Sequence, residues 1–266
     1  VTPFQAVVLS LVQAVTEFLP ISSSGHLILV PYFLGWPDQG LGFDMATNTG
    51  TLLALIVYFR SELKEMLVGF FTGAQGSHDF APRPMAWNLI VGTLPAAIVG
   101  PLVHHRIATE ARNPLLIAST AAFYGLLLLL ADRIGRQRRE LGSLGWRDAL
   151  IVGGAQALAL VPGTSRSGIT ITAALLLGFT RPAAARFAFL LSVPIGILVA
   201  VYDVYKGGLA GEALTSTLIA IAVSAVAGYF VIGWLLGFLR RQPLTIFVVY
   251  RLLLAAVIVV LFVWRR

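Results

Sequence analysis

Between residues 13 and 26 the chain reads Gln13-Ala14-Val15-Thr16-Glu17-Phe18-Leu19-Pro20-Ile21-Ser22-Ser23-Ser24-Gly25-His26, a polar cluster inside an apolar run. Ionisable groups are costly in hydrocarbon, so such a cluster marks a functional site. Glu17 can ligate a divalent cation, accept a proton, or pair with an arginine; the plain alternative is a glutamate reaching the membrane interface. Gln13 lies one helical turn before it and can offer an oxygen to a metal or a hydrogen bond to a phosphate. Ser23 and His26 are three apart and share a helix face, which gives a hydroxyl nucleophile with an imidazole base. The spacing equally allows His26 as direct nucleophile or as base for a metal-bound water. Of Ser22, Ser23 and Ser24, at least one is expected only to cap the following helix.

A second stretch, Pro162-Gly163-Thr164-Ser165-Arg166-Ser167-Gly168, suits an anion. Glycine lets backbone approach a phosphate, Thr164, Ser165 and Ser167 supply hydroxyls, and Arg166 offers a planar bidentate donor. A helix N-terminus behind such a loop adds exposed N–H groups. Asp44 and Asn48 open the next apolar run, either as metal or supporting groups or as helix caps. Arg251 sits inside the last run, to pair with a carboxylate or with backbone carbonyls, and carries no assigned role. His78, His104 and His105 fall in loops or at span ends.

The elements that must position these residues are membrane helices. The chain of 266 residues is 58% hydrophobic and 12% charged, against roughly a quarter charged in a soluble domain. Its mean hydropathy is +0.86. Apolar runs at 47–59, 86–103, 114–131, 187–205, 214–236 and 244–264 approach the ~20 residues that cross a bilayer. Residues 4–19 lack the basic start and the small-x-small site of a signal peptide. They halt at Pro20, and the next apolar piece, 27–34, would make only about 12 Å of helix. Together they predict a re-entrant hairpin or a broken helix with Pro20 to Gly25 at the break, tolerated only where protein or a wet cavity surrounds it. The plain alternative is a spanning helix plus an interfacial piece.

The same grammar returns with an offset of 143: Gln13-Ala14 onto Gln156-Ala157, Ser24-Gly25 onto Ser167-Gly168, Leu34-Gly35-Trp36 onto Leu177-Gly178-Phe179. An offset of 146 continues it, with Gly50 onto Gly196, Ala54 onto Ala200 and Arg60 onto Lys206. The prediction is a single all-α membrane domain over 1–266. Halves 1–131 and 147–266, each a re-entrant hairpin plus three spans, form an inverted repeat of six spans, joined by a basic loop at 132–146. Outside the apolar stretches, twelve Lys and Arg then fall on one side and five on the other, which makes the richer side cytoplasmic. The +7 net charge is thereby explained without nucleic acid. Gly228, Gly233 and Gly237 allow close helix contacts within a chain or in a homodimer.

No P-loop and no His-Glu-x-x-His motif is present. The Ser-Gly-His element occurs in type-2 phosphatidic-acid phosphatases, but the histidine they place six residues after Ser-Arg is Thr172 here. The run from Gln13 to His26, the Pro162 to Gly168 loop, Asp203-Val204-Tyr205-Lys206 and Tyr250-Arg251 together resemble the undecaprenyl-pyrophosphate phosphatases, the bacitracin-resistance membrane proteins. The resemblance spans essentially the whole chain. It implies hydrolysis of undecaprenyl pyrophosphate to the monophosphate, recycling the carrier lipid of peptidoglycan synthesis. It also implies a divalent cation, Ca²⁺ or Mg²⁺, and a site open to the periplasmic side of the bacterial cytoplasmic membrane. The family's acidic motif, Glu/Gln-x-x-x-Glu, falls on Gln13 and Glu17, with one acid where some members have two. Its nucleophile falls on Ser23, its histidine on His26, its arginine on Arg166, and its phosphate loop on Thr164, Ser165 and Ser167. A secondary transporter or lipid flippase is the rival reading, since inverted repeats of broken helices are also a transporter's plan.

Overall fold

The computed structural model describes residues 1–73, 80–110, 113–206 and 213–264, with the side chains of 104–110 and 263–264 outside that description. His78, Asp79, Arg112, Arg265, Arg266 and the side chains of His104, His105 and Arg106 therefore lie outside the described residues. In chain order the helices are α1 (Pro3–Phe18), α2 (Ser23–Leu34), α3 (Leu41–Tyr58), α4 (Arg60–Thr72), α5 (Pro82–Glu110) and α6 (Pro114–Ile134). After a 3₁₀ turn at Leu141–Ser143 come α7 (Trp146–Leu158), α8 (Arg166–Leu176), α9 (Arg181–Tyr205), α10 (Leu214–Leu239) and α11 (Thr245–Trp264). The described residues contain no strand, as the all-α expectation requires.

Local chemistry sets the ends that matter. Thr2 and Gln5 close a capping box at the start of α1, with Pro3 in its first turn. At its other end, Leu19 is extended before Pro20, the conformation a proline imposes on its predecessor. The chain then turns through Ser22 at φ +73° and re-enters helix at Ser23. Pro31 and Gly35, the latter at φ +66°, end α2 after 12 residues.

Among the described residues, five helices are long and apolar enough to cross a membrane: Pro82–Val103, Pro114–Ile134, Arg181–Tyr205, Leu214–Leu239 and Thr245–Phe262. The sixth expected span lies in α3 and is not among them. Its 18 residues would reach about 27 Å, but Asp44, Thr47, Asn48, Thr49 and Thr51 make its first half polar. The outer surface confirms the solvent: Phe230 is 68% exposed and Leu253 62%. In water such a surface would be an aggregation liability; in lipid it is the expected one.

The two halves interlock. Helix α1 packs on α10 and α7 packs on α5; α3 lies on α10 and α9 on α5. Helices α6 and α11 pack on each other, and α8 leans on α6. Backbone geometry repeats at the offset of 143, with Ser22 at +73° and Ser165 at +70°, Gly35 at +66° and Gly178 at +89°. The α5–α7 crossing is close enough that a Cβ at Gly153 would run into the Gly92 carbonyl.

The loop at 132–146 is pinned rather than loose. Arg139 grips Asp148 through two hydrogen bonds of 3.0 and 2.6 Å, donates to Leu177 O, and stacks over Phe179 at 4.2 Å. Burial pushes the Asp148 carboxyl up, but hydrogen bonds from Arg139 and Gly145 N–H, together with the Arg139 charge, outweigh it and hold its pKa below the usual value. Asp132 pairs with Arg181 at 2.5 Å and accepts from Leu244 N, tying the ends of α6, α9 and α11 together.

Candidate active site

Glu17 ends α1, Ser23 begins α2, and Arg166 begins α8 from the other half of the chain. The broken helices bring all three together. Arg166 Nη2 donates to Glu17 Oε1 at 2.5 Å, and Ser23 Oγ donates to Glu17 Oε2 at 2.6 Å. Gln13 Nε2 reaches the same Oε2 at 3.1 Å and Asn48 Oδ1 at 2.7 Å, holding the carboxylate against α3. The Glu17 side chain is 11% exposed. Both of its oxygens are paired, so the group is not left as an uncompensated buried charge.

These groups open on a cavity of about 670 Å³, within the range of small-molecule sites. Glu17, Ser22, Ser23, Ser24, Asn48, Gln156, Ser165, Arg166 and Asp203 are among its polar lining, and Leu52, Ile195, Leu198 and Val199 are part of its apolar lining. The N-terminal turns of α2 and α8 both meet it. The first N–H groups of a helix have no intrahelical acceptor, so two positive helix ends and a guanidinium face one space. That arrangement suits a polyanion attached to an apolar chain.

His26 is placed differently from the sequence expectation. Its Nδ1 lies 2.7 Å from Ser22 O and its Nε2 2.6 Å from Tyr250 Oη, with the rings stacked at 5.5 Å and 10°. A carbonyl only accepts, so Nδ1 carries the hydrogen, and in the neutral ring Tyr250 Oη donates to Nε2. Both ring nitrogens are thus engaged, and the expected Ser23–His26 hydrogen bond does not form. The reason is local: Ser23 is the first residue after the break and turns back to Glu17, while His26 turns inward to α11.

The phosphate-loop residues divide. Ser165 lines the cavity and its Oγ accepts from Gly168 N at 3.2 Å. Ser167 instead donates to Leu19 O at 3.0 Å and Glu17 O at 3.3 Å, fastening α8 to the break after α1. Ser22 and Ser24 sit 3.2 Å apart, as Ser165 and Ser167 do. Thr164 is fully buried and its hydroxyl has no partner. Gly163, at φ +87°, is pressed so closely on α6 that a Cβ would strike Thr120 and the Ile117 carbonyl. Ser22 takes the cap position of α2 without a side-chain cap bond. Asp44 accepts from Gln39 at 2.8 Å and does not line the cavity.

Arg251, given no role from sequence, is fully buried where the halves meet. It donates to the carbonyls of Ala121 (2.9 Å), Pro20 (3.3 Å), Gly163 (2.9 Å) and Thr164 (3.0 Å), bridging α6 and both breaks. Its position inside a span was the signal available; its partners come from three other segments.

Among the described residues no group of three or more His, Cys, Asp or Glu gathers as a metal cage. Glu17 and Asp203 are the carboxylates that line the cavity, and Gln13, bonded to Glu17, keeps a buried Oε1 without a partner. That fits a cation completed by ligand oxygens and water, in the manner of Mg²⁺, rather than an all-protein Ca²⁺ cage.

Fold and site together define an integral membrane protein with a largely apolar cavity that carries a polar end, suited to an anionic amphiphile. The family described as Bacitracin resistance protein BacA matches residues 6–257, and the chain belongs to it. Its relatives include the Undecaprenyl-diphosphatase of Magnetococcus marinus, 47% identical over 96% of this chain and 97% of the relative. Another is the Undecaprenyl-diphosphatase of Thioalkalivibrio sulfidiphilus, 46% identical over 97% and 98%. Undecaprenyl-diphosphatase 2 of Stutzerimonas stutzeri is 46% identical over 97% of each chain.

Proposed function

We infer that this protein is a membrane phosphatase that hydrolyses undecaprenyl pyrophosphate to undecaprenyl phosphate and inorganic phosphate. Its family and near-full-length relatives support this reading, and the Ser23–Glu17–Arg166 clamp is the observation that carries it. Arg166 and the helix ends at Ser23 and Arg166 bind the diphosphate, with Ser22, Ser24 and Ser165 supplying further donors. Ser23 Oγ attacks the terminal phosphorus and gives its proton to Glu17. The bond from that phosphorus to the bridging oxygen breaks, and undecaprenyl phosphate leaves. Water then attacks the phosphoserine, the phosphorus–Oγ bond breaks, and Glu17 passes a proton back to Ser23. Glu17 takes the base's role first assigned to His26 because it is the group Ser23 donates to. His26, held by Ser22 and Tyr250, orients the start of α2. A divalent cation, Mg²⁺ or Ca²⁺, held by Glu17 and Gln13 Oε1, would neutralise charge on the diphosphate oxygens.

The interlocked halves and matched backbone angles support an inverted repeat of two re-entrant hairpins and six spans, with the cavity open to the periplasmic side. Transport alone gives the Ser23–Glu17 hydrogen bond no task. Phosphate release by purified protein in detergent, where no gradient exists, separates the two readings. A protein that binds the lipid yet releases no phosphate would be a carrier.

A further inference from the structure

Gln156 lies in the last turns of α7, is 2% exposed, and lines the same cavity as Glu17, Ser23 and Arg166. Neither its Nε2 nor its Oε1 has a partner. Leaving such an amide unsatisfied works against folding, so its hydrogen bonds are reserved for something that enters the cavity. The internal repeat sharpens this point. Gln156 is the counterpart of Gln13, whose Nε2 is spent on Glu17 and Asn48. At the offsets of 143 and 146 the counterparts of those partners are Leu160 and Pro194, which can neither donate nor accept through a side chain. The second copy of the amide faces the cavity with its protein partners gone.

The ligand's chemistry follows from the atoms. Nε2 donates and Oε1 accepts, so the complete partner carries an O–H and a lone pair. Ionised diphosphate oxygens satisfy only Nε2. Water satisfies both. We propose that Gln156 holds the water that hydrolyses the phosphoserine, resting on the phosphatase reading above. Oε1 accepts one O–H and Nε2 donates to the water oxygen, leaving a lone pair for phosphorus and the second O–H for Glu17. As the oxygen–phosphorus bond forms, the phosphorus–Oγ bond breaks and Glu17 hands Ser23 the proton it took in the first step. The water's second proton replaces it on Glu17 and is released to solution, restoring the carboxylate. Gln156 is thus a water-positioning residue, in the sense known for glutamines of nucleotide hydrolases.

The test measures partition between two acceptors, with farnesyl diphosphate as probe, the full chain in detergent, and glycerol added as competing nucleophile. In Gln156→Met, phosphate formation falls by roughly a hundredfold, as expected for a misplaced nucleophile. Transfer to glycerol falls far less, so the ratio of glycerol phosphate to phosphate rises while KM changes little. The melting temperature changes little, because the amide bonds to no protein group. Gln156→Asn withdraws the amide by one methylene and shows the same partition shift if the methionine variant does not fold. Equal losses of hydrolysis and transfer, a rise in KM alone, or a lower melting temperature with proportionate loss of activity would overturn the assignment. An altered inhibition by inorganic phosphate with unchanged partition points to contact with a protonated phosphoryl oxygen and likewise overturns it. Wild-type protein that releases no phosphate sinks the phosphatase reading itself; release without any partition shift sinks only the role of Gln156.

Discussion

At the scale of single residues, the proposed chemistry turns on what Glu17 holds. Arg166 is its charge partner and, in the proposed reaction, a donor to the substrate. Arg166→Ala should lower kcat/KM by about a hundredfold to a thousandfold, the usual consequence of losing a donor to transition-state charge. Near wild-type phosphate release by that variant would end the assignment. The choice of base is equally testable. Glu17→Gln keeps the shape and removes the proton acceptor, so kcat should fall by at least ~10². Tyr250→Phe removes only the hydroxyl facing His26 and should cost far less. If Tyr250→Phe and Glu17→Gln disable the enzyme equally, the histidine and not the carboxylate drives Ser23. A double-mutant cycle on Glu17 and Arg166 should be strongly non-additive, since either change strands the other charge.

At the scale of elements, function depends on two breaks held open against helix continuation. Ser22 and Ser165 sit at positive φ, where an L-residue is strained by roughly 1–3 kcal/mol. Ser165→Gly should therefore raise the melting temperature while lowering activity, because it relieves the strain and deletes a hydroxyl in the cavity. A lower melting temperature would show that the cap bond to Gly168 outweighs the strain. Arg251 bridges both breaks. Arg251→Met leaves four carbonyls without their donor and should destabilise by on the order of 3 kcal/mol, read as loss of the folded fraction on heating in detergent. Arg251→Lys keeps the charge but not the fork, and should recover only part of that loss.

At the scale of the whole molecule, topology and metal dependence are open to direct measurement. The chain has no cysteine, so single cysteines can be placed without background. Ser143 in the basic loop and Asp38 after the first hairpin are both exposed. In an inverted repeat, Ser143→Cys should label with an impermeant maleimide only from the cytoplasmic side and Asp38→Cys only from the other. Labelling of both from one side would refute the topology. Activity should fall with EDTA and return with Mg²⁺ or Ca²⁺; full activity in EDTA would leave Glu17 and Arg166 as the charged machinery of the site.

The membrane class, most helix positions and the polar cluster were legible in the sequence because they are written locally. Apolar runs near the bilayer thickness, Pro20 and Pro162 at the breaks, and costly Glu17 and Arg166 inside hydrocarbon each carry their meaning within a few neighbours. The offset of 143 was legible too, and the positive backbone angles at Ser22 and Ser165 recur at it. What only the tertiary structure decided was which atoms meet. The spacing of Ser23 and His26 spoke for a pair, but a chain break separates their directions, and Glu17 across the break took the serine. Arg251 drew its partners from residues 20, 121, 163 and 164, a set with no local signature. Gln156 looked like a mere echo of Gln13 until the fold left its amide without partners in the cavity. Periodicity and cost are properties of segments; hydrogen-bond partners are properties of the packed whole.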